Sequence, residues 1–364
     1  MTGRLFLLAL AIVAGLMIFA ACTTEEDTPE PTDSEPMEEE MMSRLATVQE
    51  RGTLVCAINT VLPGFGALDA DGNNVGFDID QCRAVAAAVL GDANAVEFRQ
   101  TTAAQRGPTM QSGEVDLMVR NTTWTTGRDA TWGNFAQTTF YDGQGFMVPA
   151  SLGISDPTEL DGSSICVLSG TTTEQNLQDF ISQNGLDIQV LTFGEQPPLT
   201  EAYLAGQCQA ETTDKSGLVS LRTTYDNPDD HVILGATISE EPLGPVVPHG
   251  DDQWYDIVKS TIAILIYAEA FEIDSMNVPT SATGNAAVDR LFGLSDTNWG
   301  QGDLGLDQTV AQTVIQQVGN YGEIYDRHLT PLGVTREGSR NALWVSAPCS
   351  MCPKGGEIYA APLR

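Results

Sequence analysis

What most limits the fold of this chain is an order of strand and helix signals that runs through once and then starts again. Thr53-Leu54-Val55-Cys56-Ala57-Ile58 is a short continuous apolar run, the kind a strand covered on both faces requires. A helical pattern follows from Asp78 to Leu90, with Ala84, Ala86, Ala87 and Ala88 inside and Gly91 in the place of a C-cap. Val96-Glu97-Phe98 reads as a second strand, and about Arg106 to Gly113 as a further helix with Pro108 in its first turn. Val115-Asp116-Leu117-Met118-Val119 reads as a third strand. Strand–helix–strand order of this kind predicts a parallel sheet with right-handed crossovers. The order restarts at Ser164-Ile165-Cys166-Val167-Leu168. It continues with a helix from Glu174 to Gln183, the strand Ile188-Gln189-Val190-Leu191, a helix around Leu199 to Ala205, and Ala210-Glu211-Thr212-Thr213.

Between the two units, Gly143 to Pro149 is β-rich with flexible glycines, and a comparable stretch, Val232 to Pro248, closes the second unit. Two crossings between domains are implied. Beyond Asp251 come a helix from Trp254 to Ala270, a further helix from Gln308 to Gly319 and a tail, too little sheet for a third domain, so they are expected to return to the first. The expected fold class is α/β: two lobes joined by two hinge strands near Gly145 and Gly235, with a cleft between. A length of 364 residues at 42% hydrophobic content suits two domains of roughly 100–200 residues each.

The start of the chain reads differently. Arg4 precedes an apolar run from Leu5 to Ala21, shorter than the roughly 20 residues of a spanning helix and suited to a secretory leader. It ends in Phe19-Ala20-Ala21-Cys22, and small residues before a cysteine resemble a bacterial lipobox, although Phe19 replaces the usual Leu. A plain cleaved leader or a retained anchor are the alternatives to lipidation at Cys22. Thr23 to Glu40 holds nine acids, three prolines and no basic residue, so it lacks the apolar surface to offset the entropy of ordering and reads as a tether. The whole chain carries 49 acidic against 17 basic residues, and once residues 1–40 are set aside forty acids still face sixteen basic residues. Such a surface repels phosphate backbones, which argues against nucleic acid as a partner.

Six further cysteines remain, an even number in an exported chain, and disulfides are the default reading. Cys349 and Cys352 are close in sequence, while Cys56 with Cys82 and Cys166 with Cys208 fall in separate regions. That order suggests the pairing, although three bonds among six cysteines allow 15 connectivities and buried free thiols remain open. The only C-x-x-C is Cys349 to Cys352, with no second pair of similar spacing for zinc. The spaced acids of Asp69 to Asn73 lack the distal Glu of a calcium loop, and Asp71-Gly72 signals a hairpin. No metal and no cofactor is expected.

Catalytic signatures such as G-x-S-x-G, H-E-x-x-H and G-x-x-x-x-G-K-[ST] are missing. Gly300-Gln301-Gly302-Asp303-Leu304-Gly305 fits G-x-G-x-x-G but follows no strand, and reads as a surface loop. His231, His249 and His328 lie in polar surroundings, none placed as a base. More informative is Arg120-Asn121-Thr122-Thr123-Trp124-Thr125, which ends a strand and leads to Arg128. Ligands of open α/β sheets bind at that edge, and a planar guanidinium suits a carboxylate, although a surface ion pair would also explain Arg128. Gly170-Thr171-Thr172-Thr173-Glu174 is the counterpart in the second unit. Thr171 and Glu174 fit a capping box, and free N–H groups at a helix start favour an anion, although capping alone needs no ligand. Asp214, in Thr212-Thr213-Asp214-Lys215-Ser216-Gly217, is a natural partner for an ammonium group, although Lys215 beside it allows a simple surface pair.

These stretches resemble the polar amino-acid class of periplasmic solute-binding proteins of ABC importers, most closely the general L-amino-acid-binding branch. The resemblance runs from about Leu45 to Trp344 through LVCAIN (Leu54 to Asn59), LPGF (Leu62 to Phe65), CRAVAAAVLGD (Cys82 to Asp92), QSGEVD (Gln111 to Asp116), RNTTWT (Arg120 to Thr125), YDGQGFMVP (Tyr141 to Pro149), PDDHVIL (Pro228 to Leu234) and QVGNYGEIY (Gln317 to Tyr325). It implies the two-lobed type II periplasmic-binding-protein fold. It also implies that Arg128 grips the ligand α-carboxylate with help from the amide of Thr172, that Asp214, Thr123 and the Asn121 region hold the α-ammonium, and that Asn59 and Phe65 line the side-chain end. Two departures stand out: Gly107, where relatives carry an aromatic, and the Cys349 to Gly356 stretch inserted before a family-like ending at Tyr359 to Arg364.

The expected organisation is a signal peptide (1–21), an acidic lipoprotein tether (22–44), a first domain (45–144 plus 246–364) and a second (145–245). The expected role is non-enzymatic: a free L-amino acid enters the cleft of a monomeric, extracytoplasmic protein that touches the membrane only through its lipid. The closed form is then handed to an ABC permease and ATPase complex. A sensor subunit, or a dehydratase-like enzyme on the same fold, are the other readings; which amino acids bind is left open.

Overall fold

The computed structural model describes residues 43–347 and 355–364. The leader, Cys22, nearly all of the tether, and the Cys349–Cys352 pair lie outside the described residues. Helix α1 (Arg44–Arg51) starts inside the last residues expected of the tether, because Ser43 is a working N-cap whose Oγ accepts the Ala46 N–H.

Strand β1 (Leu54–Ile58) is followed by a small antiparallel meander of β2 (Val61–Leu62), β3 (Gly66–Leu68) and β4 (Asn74–Val75), then α2 (Phe77–Leu90), β5 (Val96–Gln100), α3 (Arg106–Ser112) and β6 (Leu117–Met118). Helix α4 (Thr126–Thr131) and β7 (Asn134–Phe135) follow. The chain leaves this lobe along β8 (Phe140–Asp142) and enters the second with β9 (Gln144–Pro149), β10 (Ser164–Leu168), α5 (Thr172–Asn184), β11 (Gln189–Phe193), α6 (Gln196–Leu204), β12 (Ala210–Asp214), α7 (Lys215–Arg222) and β13 (His231–Ile233). It returns along β14 (Glu241–Leu243) to β15 (Val246–Val247), α8 (Asp252–Ala270), α9 (Ala286–Leu291), α10 (Val310–Val318) and α11 (Tyr321–His328).

Each lobe holds one five-stranded sheet. The first runs β5-β1-β6-β15-β7, with β1 parallel to β5 and β6 and the returning β15 antiparallel to β6 and β7. The second runs β11-β10-β12-β9-β13, with β10 parallel to β11 and β12 and the entering β9 antiparallel to β12 and β13. In both, the strand flanked by two parallel neighbours carries residues of 0% exposure on both faces, Cys56 and Ala57 in β1 and Ile165 to Val167 in β10, which is why both read as continuous apolar runs.

The alanine-rich face of α2 lets α8 and α10 approach closely, and Trp254, Ile257, Ile262, Val314 and Ile315 are buried with it in one core. At about 1.5–3 kcal/mol per fully buried large apolar side chain, this shared core is what draws the C-terminal helices to the first lobe. Asp80 pins α2 to α11: its carboxylate takes Arg83 at 2.9 Å, Arg327 at 2.6 Å and His328 Nε2 at 2.7 Å. Two disulfides follow the regional pairing: Cys56–Cys82 joins β1 to α2 with Cα atoms 6.2 Å apart, and Cys166–Cys208 joins β10 to the turn before β12 with Cα atoms 5.7 Å apart.

The lobes are bridged by β8 and β14, an antiparallel pair in which Tyr141 faces Pro242 and Asp142 faces Glu241. The expected bending points flank this pair in sequence. Gly145 lies inside β9 opposite Thr213, where a Cβ would meet Lys215 Cγ at 2.7 Å, and the Leu234 N–H on the far side of Gly235 is bonded to Phe146. The C-terminal segment straps the bridge: Asn341 accepts the Tyr141 N–H at 2.6 Å and donates to the Tyr141 carbonyl at 3.0 Å. The Arg340 guanidinium lies 4.8 Å from the Tyr141 ring and pairs with Glu240 and Glu357.

Candidate ligand-binding site

A cavity of about 180 Å³ lies at the C-terminal ends of β1, β6, β10 and β12, lined by both lobes. Its first-lobe wall is fixed by the start of α2. The N–H groups of Phe77 and Asp78 donate to the carbonyls of Gly64 and Phe65 at 2.8 and 3.0 Å, and Gly76, at φ 143°, passes so near that a Cβ would sit 2.2 Å from the Phe65 carbonyl oxygen. Phe65 is thereby turned inward, 1% exposed, edge-on to Phe77 and Phe140 at 6.2 and 5.3 Å. Each such aromatic contact adds about 0.5–1.5 kcal/mol beyond the area it buries, so this wall is rigid.

Asn121 occupies the left-handed region at φ 31°, a conformation that asparagine tolerates better than most side chains. Its N–H donates to the buried Asp78 carboxylate at 2.7 Å, and its Oδ1 accepts from Asn59 Nδ2 at 3.2 Å. Burial pushes Asp78 up to about 7, against the pull of that N–H and of Arg120.

Asn59, Phe65, Asn121 and Asp214 all line the cavity. Arg128, Thr123 and Thr172 form an adjoining cluster. Arg128 donates to the Thr123 carbonyl at 3.0 Å and stacks 4.7 Å over Trp132, and the Thr123 and Thr172 hydroxyls meet across the lobes at 3.4 Å. Trp132 also answers the departure at Gly107, since a Cβ there would strike its indole nitrogen at 2.6 Å. The indole fills the space an aromatic at 107 would take. The capping box at Thr171 forms only one arm: Thr171 Oγ1 accepts the Glu174 N–H at 3.0 Å, but the Glu174 carboxylate reaches the Gly170 N–H at 2.9 Å, which is therefore occupied.

Charge is separated across the site. The first lobe contributes three buried guanidiniums, Arg106, Arg120 and Arg128. Opposite them stand Asp214 at the end of β12 and the bridge carboxylates Asp142 and Glu241. Glu241 accepts from Thr172, Asn176 and Ser239 at 2.9, 2.7 and 2.6 Å, and Asp142 from Ser216 and the Gly143 N–H. The Asp214 carboxylate, on a residue 8% exposed, accepts no hydrogen bond from the described residues. Burial, with repulsion from Asp142 and Glu241, drives its carboxyl well above the ordinary range, and burial raises Asp142 to about 6. Burial likewise lowers all three arginines, Arg120 to about 10. Each lobe holds charge that lacks a full complement, so a small molecule bearing an anion and a cation would satisfy both. Arg120 and Gln196, which also line the cavity, were not among the sequence candidates.

Two doubly wound lobes, joined by crossing strands and closing on a charged cavity, define a type II periplasmic-binding-protein architecture. A periplasmic binding protein of an ABC transporter from Brucella ovis, solved with glutathione bound, shares it at a TM-score of 0.82 and 42% identity, covering 88% of this chain and 99% of that one. The chain belongs to the bacterial extracellular solute-binding proteins, family 3, which it matches over residues 54–272. It is 48% identical over 326 residues to the general L-amino acid-binding periplasmic protein AapJ of Rhizobium johnstonii, covering 88% of this chain and 92% of that protein. It is 43% identical to the glutamate/glutamine/aspartate/asparagine-binding protein BztA of Rhodobacter capsulatus, with 88% and 94% covered.

Proposed function

We propose that this protein is the extracytoplasmic substrate-binding component of an ABC amino-acid uptake system, and that it is not an enzyme. The observation that carries the reading is the charge separation: guanidiniums from one lobe face the unpartnered Asp214 of the other. Arg128 receives the α-carboxylate with the amide of Thr172, Asp214 receives the α-ammonium beside Thr123 and Asn121, and Asn59 and Phe65 meet the side chain. Because the two charges come from different lobes (45–144 plus 246–364, and 145–245), only the closed form satisfies both ends of a zwitterion, which gives the ligand the differential affinity that closure requires. The closed form is the one the permease recognises. The names of the relatives AapJ and BztA support amino acids as the ligand class.

A thermal-shift screen of the twenty amino acids, followed by calorimetric titration, tests this; no stabilisation by any of them would overturn it. The glutathione-bound relative favours a second reading, because a γ-glutamyl group keeps a free α-ammonium and α-carboxylate, so glutathione belongs in the same screen. Lipid anchoring through Cys22 is proposed from the lipobox-like Ala20-Ala21-Cys22. Metabolic palmitate label should vanish in Cys22→Ala, and a mature N-terminus elsewhere would refute it.

A further inference from the structure

The zwitterion clamp accounts for Arg128 and Asp214 but leaves Arg120 without a task. Arg120 follows β6 directly, is 6% exposed and lines the cavity. Its Nε is spent on the Thr101 carbonyl at 2.6 Å, a bond that fixes the plane of the guanidinium. The two terminal nitrogens make no hydrogen bond or ion pair with any described residue. Asp78 attracts Arg120 electrostatically, but its Oδ2 is engaged by the Asn121 N–H and it makes no ion pair with Arg120. A guanidinium does not escape this position by losing its proton in the ordinary pH range, so its terminal N–H groups stand as donors on the cavity wall.

Neighbouring wall residues reinforce the point. Gln100, Thr101 and Thr102 line the cavity with Arg120, whereas Arg128 and the Trp132 ring on which it rests do not. Glu195 is the acidic residue that lines the cavity from the α6 side, and it is exposed to solvent, where water screens it. The cavity therefore offers an oriented pair of N–H donors on a residue that is only 6% exposed, on a wall that Arg128 does not line. A planar fork of this kind fits a carboxylate by two parallel bonds and a carboxamide oxygen by one or two.

We propose that Arg120 reads the far end of the ligand, its terminal N–H groups binding a side-chain carboxylate or carboxamide, so that the site selects amino acids ending in such an acceptor over those ending in hydrocarbon. The proposal rests on the amino-acid reading above and adds to it the substrate class and the residue that sets it.

L-glutamate, L-glutamine and L-norvaline test it, since norvaline is the glutamate skeleton with a methyl group in place of the carboxyl. Titration calorimetry on the wild-type protein should show at least tenfold tighter binding of glutamate or glutamine than of norvaline. In Arg120→Met that preference should fall below threefold while norvaline affinity changes by less than threefold. Equal wild-type affinity for norvaline and for both acceptor-ended ligands would overturn the proposal whether or not the variant folds. So would an Arg120→Met variant that weakens all three alike, which would place Arg120 in the zwitterion clamp. In both cases amino-acid binding itself survives. A wild-type protein that binds no amino acid would instead overturn the amino-acid reading, and this one with it.

Discussion

Replacing Asp214 by Asn should move the stability of the empty protein and its affinity for ligand in opposite directions. In the empty site the carboxylate is desolvated, accepts no hydrogen bond and is repelled by Asp142 and Glu241; these causes outweigh the attraction of Arg106 and Arg128. Neutral Asn of the same shape removes that penalty. The sign with pH follows. The folded carboxyl titrates well above its unfolded value of about 3.9, so whatever it contributes to stability is fully present below about pH 4 and is lost as pH rises through the folded value. The Asn variant lacks this loss, so its advantage in melting temperature should be near zero at pH 4 and grow towards pH 8. Ligand binding runs the other way. Removing one partner of a buried, hydrogen-bonded charge pair costs about 2–5 kcal/mol. At about 1.4 kcal/mol per decade that is roughly thirtyfold to several thousandfold in Kd. Scanning calorimetry without ligand from pH 4 to 8, and titration at pH 7.5 with the strongest amino acid of the screen, measure both quantities. A variant less stable than wild type at pH 7.5, or an affinity loss below fivefold, would refute the assignment of Asp214 as an uncompensated charge awaiting an ammonium.

Arg128→Ala should lose at least thirtyfold in amino-acid affinity by titration. It should also lose about 1–3 kcal/mol of ligand-free stability by urea unfolding, because the guanidinium stacks on Trp132 and donates to the Thr123 carbonyl. Asp80→Ala should destabilise by about 1–3 kcal/mol, less than a fully buried pair would because Arg327 is 45% exposed. The contacts of Asp80 hold its carboxyl below the ordinary range, so the difference from wild type should be constant above about pH 5 and shrink as pH falls through the folded value. The Cys166→Ser, Cys208→Ser double variant should lose about 4 kcal/mol by the loop-closure model for a sequence separation of 42, read by the denaturant midpoint of oxidised protein. An unchanged midpoint would contradict the bond.

Much of the scaffold is legible in the chain because its strands are buried on both faces. Ser164–Leu168 is a strand with those same bounds, and α2 ends at Gly91, whose φ of 74° is the left-handed cap its position suggests. Errors arise where a local rule has an exception. Helix α6 begins at Gln196 rather than Leu199 because Pro197 and Pro198 occupy its first turn, where their missing N–H groups cost nothing. Helix α11 was concealed by Gly322 in its first turn, yet Asn320 and Glu323 form both arms of a capping box that signals its start. In the site, Asp214 is legible as a charge at a strand end. Arg120 is not: an arginine ending a strand is ordinary in sequence, and only burial, a single spent Nε and a place on the cavity wall give it meaning. The bridge pair is equally hidden in sequence: glycines suggest bending near Gly145 and Gly235, whereas Tyr141 and Pro242 are marked only by their pairing.

The strap on that bridge separates how tightly the protein binds from what it binds. Any bond that favours one opening angle over another sets the fraction of molecules ready to receive a ligand, and apparent affinity scales with that fraction. Asn341 and Arg340 grip Tyr141 and Glu240 without lining the cavity. Affinity can therefore drift along the C-terminal segment while every pocket residue stays the same. Two relatives with matching pockets need not scavenge at the same concentration, and tuning uptake to a scarce or an abundant nutrient requires no change in selectivity.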